Sequence, residues 1–163
     1  MFSLATEVES SRCTTYVGQP PESIITFESL IGDYHRLLKQ LYDDRKVPCE
    51  RMDFRALLEA KFGSFLGCAV CDKSLVGTAQ ISVIRSPAEY HVFITNIVMK
   101  NGYDGHSSMA ELLRKLEWRA REQWLTRQKK ARAYVLGTPS SVTEHTWREL
   151  GFAVKQLYWE KDL

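Results

Sequence analysis

The chain has 163 residues, 44% of them hydrophobic and 26% charged, with a net charge of +2. This is ordinary globular composition at a length suited to one domain, which sets aside fibrous and disordered classes. No apolar run approaches the roughly 20 residues that span a bilayer, and a balance this close to neutral argues against nucleic acid as the partner.

Residues 1–22 are polar, aperiodic and end in Pro20 and Pro21, which reads as a flexible N-terminal tail. They lack a basic start and a long apolar stretch, so no secretory signal is expected, and a reducing, cytoplasmic setting follows. Residues 23–27 (SIITF) are a β-branched run and predict a first strand. Tyr34, Leu37, Leu38 and Leu41 then recur at helical spacing, with Asp33 as the expected N-cap. Pro48 breaks that pattern. Asp53 is placed to cap a second helix whose Phe54, Leu57, Leu58 and Phe62 share a face, and Gly63 ends it.

Residues 64–71 and 75–84 predict two strands joined at Asp72, Lys73 and Ser74. Residues 85–88 read as a loop, and residues 90–99 as a third strand. Ser107 or Ser108 is the expected cap of a long helix with Met109, Leu112, Leu113, Leu116 and Ala120 facing inward. Residues 131–136 predict a strand. The SVTE motif at 141–144 is a capping-box pattern, Gly151 stands at a helix C-cap position, and residues 152–160 predict a last strand. Hairpins first and helix–strand alternation later specify an α/β fold of α+β type: a mixed, mostly antiparallel central sheet flanked by about four helices, occupying residues 23–163.

Two compositional features ask for an interpretation. Residues 111–132 hold eight Lys/Arg and three Glu, a local charge of 8 − 3 = +5. That describes either a solvated helix face or a field that attracts an anion. The cysteines are Cys13, Cys49, Cys68 and Cys71. Cys68 and Cys71 have redox or zinc spacing, but residues three apart on a strand point to opposite faces. No second Cys/His pair stands nearby, so ordinary buried thiols and no metal are expected.

The element order, with three local matches, resembles the GNAT superfamily of acyl-CoA-dependent N-acyltransferases. Leu75, Val76 and Gly77 are similar to that family's strand opening L-x-G. Residues 94–123 are similar to its signature strand, pyrophosphate turn and helix. Trp147 to Phe152 (WRELGF) is similar to its Y-x-x-x-G-F. The resemblance implies a probe-able chemistry: direct transfer of an acyl group, acetyl above all, from acetyl-CoA to a primary amine on a small molecule or a protein, in a ternary complex. It implies that Ile97, Val98 and Met99 offer main-chain groups to the pantetheine arm. It implies that the turn Asp104, Gly105, His106, Ser107, Ser108 and Met109 receives the pyrophosphate, with Ser140 and Trp147 beside the coenzyme.

The turn departs from the family's R/Q-x-x-G-x-G/A. Asp104 replaces the Arg/Gln, and Ser107 and Met109 replace the glycines. A like charge at roughly 6 Å and an effective dielectric near 20 costs about 3 kcal/mol before screening, against about 0.3–1 kcal/mol returned by the helix N-terminus. Met109 is bulky enough to narrow the site. Trp147 stands where the family often carries an acidic Tyr, and an indole N–H only donates hydrogen bonds. Thr95 and Asn96 stand where a carboxylate base is sometimes found; Glu144, His145 and Tyr158 are alternatives, and the catalytic residues stay unassigned. The acceptor is expected between the first two helices and the loop at 85–90. The alternative is a GNAT-fold module that binds a ligand or protein without catalysis. Many members of the family it resembles dimerise through C-terminal strands, and Leu157, Tyr158 and Trp159 suit either such an interface or the core.

Overall fold

The computed structural model describes residues 13–44, 64–103, 105–124, 130–135, 142–154 and 161–162. Five strands form one sheet in the order β1-β2-β3-β4-β5: β1 Cys13–Val17, β2 Ser64–Cys71, β3 Ser74–Arg85, β4 Glu89–Met99 and β5 Lys130–Val135. Among the described residues three helices accompany them: α1 Phe27–Asp44, α2 Ser107–Trp124 and α3 Glu144–Glu149. All neighbours are antiparallel except β4 and β5, which run parallel with α2 as their crossover. The expected mixed, mostly antiparallel α/β sheet is therefore what forms.

The β2–β3 hairpin turns on Asp72 and Lys73, both at positive φ (47° and 60°). That is the two-residue geometry whose twist suits a hairpin. The sheet is covered on both faces. Leu30, Tyr34, Leu37, Leu38 and Leu41 of α1 pack on Leu66, Cys68, Val70, Leu75 and Val98. Met109, Leu112, Leu113, Leu116 and Ala120 of α2 pack on Ala69, Cys71, Val76, Ala79, Ile81 and Ile94. Each fully buried aliphatic side chain contributes about 1.5–3 kcal/mol. The expected opposition of Cys68 and Cys71 holds: one belongs to the α1 core and the other to the α2 core.

Several expectations are corrected. Cys13–Val17, placed by sequence in the tail, is an edge strand paired with Val70, Ala69 and their neighbours on β2. Residues 23–27 are not a strand. The chain turns there, with Ile24 N–H donating to Pro21 O (2.9 Å), and Thr26 caps α1 by accepting from Ser29 N–H (3.3 Å). Four β-branched and aromatic residues without a neighbouring strand do not outweigh a proline-led turn and a good cap. Asp33 lies inside α1 and is not its cap; its carboxylate accepts the Leu75 N–H of β3 (3.1 Å) and pairs with Arg36. Cys13 and Cys71 are a disulfide, not two thiols, because the β1–β2 register sets them directly opposite, with Cα atoms 4.3 Å apart. The second helix expected at 53–62 and the strand expected across 152–160 are not tested, since residues 45–63 and 155–160 lie outside the described residues.

Candidate coenzyme site

The site expected from sequence begins at a fault in β4. Gln80 faces Thr95 and Thr78 faces Val98, so Ala79 alone opposes both Asn96 and Ile97. This is a β-bulge, and Asn96 takes its left-handed position (φ 51°), which Asn tolerates better than most residues. The bulge explains how Ile94 and Ile97, three apart, both reach the α2 core. Its side chain is tied on both sides. Asn96 Oδ1 accepts from Tyr42 Oη (2.9 Å), Asn96 Nδ2 donates to Gln80 Oε1 (3.3 Å), and Gln80 Nε2 donates to Ser64 Oγ (2.9 Å).

Past the bulge, Ile97, Val98 and Met99 are 0–2% exposed. Their side chains belong to the two cores, Ile97 to that under α2 and Val98 to that under α1. Among the described residues, β5 pairs with β4 only as far as Ile94–Val135. The Met99 carbonyl accepts from Gln40 Nε2 (2.8 Å), an α1 residue that sequence reasoning did not single out.

The following turn is built by backbone bonds from Tyr103 N–H to Lys100 O (2.9 Å) and from His106 N–H to Tyr103 O (3.0 Å). Gly102 and Gly105 take positive φ (91° and 74°), the conformation that makes glycine the suitable residue there. The cap of α2 is neither Ser107 nor Ser108. His106 fills that role, its Nδ1 accepting the Ser108 N–H (3.1 Å) and lying 2.8 Å from Ser108 Oγ. Because Nδ1 accepts, the proton of a neutral ring sits on Nε2, and Nε2 lies 3.8 Å from Cys13 Sγ. His106 is 5% exposed, a buried histidine in the turn before α2.

This arrangement uses up donors. Of the five amides at 105–109, those of His106, Ser108 and Met109 bond within the turn, the last to His106 O at 3.2 Å. Gly105 and Ser107 have no such backbone partner among the described residues and are exposed. Met109 does not narrow the site: it is 1% exposed and points into the α2 core, since it opens the helix's inward stripe. Asp104 and Ser140 lie outside the described residues.

Trp147 sits on α3, 9% exposed, edge-on to Phe152 at 5.1 Å, with an indole N–H that finds no acceptor among the described residues. Thr143 caps α3, not Ser141, by accepting from Thr146 N–H (3.2 Å). Gly151 closes the helix at φ 89° with its N–H on Arg148 O, and Phe152 N–H on Trp147 O. Glu144 pairs with Arg148 (2.7 Å) and His145 with Glu149 (3.2 Å), all on the exposed side of α3. Tyr158 lies outside the described residues.

In the basic segment, Arg121 pairs with Glu117, Lys115 with Glu111, and Arg119 lies 5.8 Å over the Phe65 ring. These contacts fit the solvated helix face. Among the described residues no cluster of His, Cys, Asp or Glu is arranged to hold a metal, and no helix is long and apolar enough to cross a membrane.

Solved structures share this architecture. An acetyltransferase of Trypanosoma brucei is 16% identical with a TM-score of 0.65, covering 93% of this chain and 100% of its own. An acetyltransferase of Clostridium acetobutylicum, solved with acetyl-CoA, is 17% identical with a TM-score of 0.62 over 93% and 96% of the two chains. Glucosamine-6-phosphate N-acetyltransferase of Arabidopsis thaliana is 11% identical with a TM-score of 0.60 over 91% and 98%. At such identities the likeness is one of fold. No curated protein sequence matches the chain. Residues 30–152, from α1 through the Schellman turn at Gly151 and Phe152, match the acetyltransferase (GNAT) family. With a bulged central strand leading through a glycine turn into α2, the chain belongs to that family.

Proposed function

We infer that the protein transfers an acetyl group from acetyl-CoA to a primary amine, directly, in a ternary complex. The observation that carries this reading is the bulge at Asn96, where β4 leaves register with β3 just before a stretch whose side chains are all buried. A ligand laid along residues 97–99 would pair with main-chain groups there, as in β-strand addition. Gly105 and Ser107 supply open amides to the pyrophosphate at the start of α2. With both reactants held, proximity alone supplies about 7–11 kcal/mol of the barrier. Asp104, Ser140 and Trp147 stay assigned to the coenzyme's surroundings, and no residue is assigned as acid or base.

The acceptor is a small-molecule or protein amine, entering on the α1 side near the loop at 85–90. Among structural neighbours are an aminoglycoside acetyltransferase solved with sisomicin and glucosamine-6-phosphate N-acetyltransferase, whose name specifies transfer to nitrogen. The compartment we assign is the cytoplasm, and a homodimer is compatible with the reading.

Calorimetry with acetyl-CoA tests it. Micromolar binding is expected, weakened more than tenfold by Ser107→Glu, which sets a carboxylate at an open amide. A thiol-release assay over an amine panel then finds the acceptor. One observation favours a second reading, a non-catalytic GNAT-fold binding module: three of five turn amides are already satisfied within the protein. Absence of saturation at millimolar acetyl-CoA would select that module.

A further inference from the structure

The Cys13–Cys71 bridge and the coenzyme turn are one cluster. Cys13 Sγ lies 3.8 Å from His106 Nε2, while the other nitrogen of the same ring holds the Ser108 N–H. Strand β1 also grips the start of α2 beyond the turn. Thr15 Oγ1 donates to Glu111 Oε1 (3.0 Å), and Lys115 Nζ donates to Thr15 O (2.9 Å). The bridge therefore backs a buried histidine whose ring orientation decides whether a helix-start amide faces inward or is released to a ligand.

We propose that Cys13 and Cys71 are a redox latch on the coenzyme site: bridged, they fix His106 on the Ser108 amide and weaken coenzyme binding; reduced, they release it. The inference rests on the transferase reading for its ligand, and on β1 and His106 for its mechanism. Cys13 is partly exposed and Cys71 is 1% exposed, so Cys13 reacts first. Its thiolate attacks a low-molecular-weight disulfide and expels one small thiolate. The Cys71 thiolate then attacks the Cys13 sulfur of the mixed disulfide and expels the second. The protein gives up two electrons and two protons, and the small disulfide becomes two thiols.

Opening the bridge moves the sulfurs to van der Waals separation, about 1.5 Å farther apart than when bonded. The His106 ring, packed against Cys13 and only 5% exposed, must shift to make room. Its hold on Ser108 N–H is then lost, and the amide turns outward. The bridged form, in which most of the turn's amides are internally satisfied, is thus the closed form.

The test uses the full chain after treatment with oxidised glutathione or with a phosphine reductant. Peptide mapping should find Cys13 joined to Cys71 in the first sample only. Coenzyme A titrated by calorimetry should bind at least tenfold more weakly to the bridged form. Cys13→Ser should bind tightly after either treatment, and His106→Ala should bind equally in both states. Exchange of the Ser108 amide, followed by NMR, should be at least tenfold slower in the bridged form. Equal affinities in the two states, or tighter binding when bridged, would overturn the latch and leave the coenzyme site standing. Unchanged Ser108 exchange overturns it whatever the coenzyme does. Failure of coenzyme A to bind either form overturns the transferase reading, and this control of it as well.

Discussion

At Cys68 burial alone sets the chemistry. The thiol sits in the α1 core at 0% exposure, and desolvation of its thiolate pushes its pKa from about 9 to about 12. A thiol that holds its proton longer when folded stabilises the fold below pH 9 and loses that advantage as pH climbs from 9 towards 12, because the unfolded chain releases its proton first. Urea titrations at about pH 8 and about pH 10.5 should show a steeper loss of stability for the native chain than for Cys68→Ala, and iodoacetamide should label Cys68 only on unfolding. His106 is the contrasting case. Its chemistry is set by two neighbours remote in sequence or hidden by the turn, so nothing in the HSS triplet distinguished a histidine cap from a serine cap. Asn96 was legible only as standing where a carboxylate base is sometimes found; that β4 needs a positive φ there depends on the opposing Ala79.

Helix α2 sits close against the sheet. It passes over Gly67 of β2, where an added Cβ would lie 2.7 Å from Leu112 Cδ1 and 3.0 Å from Leu116 Cδ1. Gly67→Ala should therefore lift α2 or displace both leucines, at a cost of about 1–3 kcal/mol. A thermal melt shows the loss, and coenzyme A affinity should fall with it, because the turn at Gly105 and His106 moves with the helix start. The inward stripes of α1 and α2 were readable because 3.6-residue periodicity needs no knowledge of what lies opposite. The helix ends were not. Asp33 was recruited by Leu75 N–H and Arg36, leaving Thr26 as the cap. The long strands β2, β3 and β4 were found from their own apolar runs. Strand β1 escaped, since CTTYV is short and half polar and becomes a strand only because β2 offers it an edge.

For the whole molecule, one sheet divides two cores. Ile25 belongs to the α1 core and Ile81 to the α2 core, at 2% and 1% exposure. Ile25→Val and Ile81→Val should each cost about 0.5–1.5 kcal/mol, and the double variant should cost their sum within about 0.5 kcal/mol, since the sheet separates the sites. Urea unfolding monitored by tryptophan fluorescence and by circular dichroism should stay coincident throughout, because both cores share the same strands. What the sequence alone determined is what is local: the long segments that became α1, α2, β2, β3 and β4, their apolar faces, and that hairpins precede a helical crossover. Tertiary structure decided the rest: the bulge at Asn96, the disulfide of Cys13 and Cys71, and the capture of the Ser108 amide by His106. The reason is physical. Periodicity reports a residue's relation to its own helix or strand, whereas register, cross-strand pairing and the fate of a spare hydrogen-bond donor depend on partners that only the folded chain brings within reach.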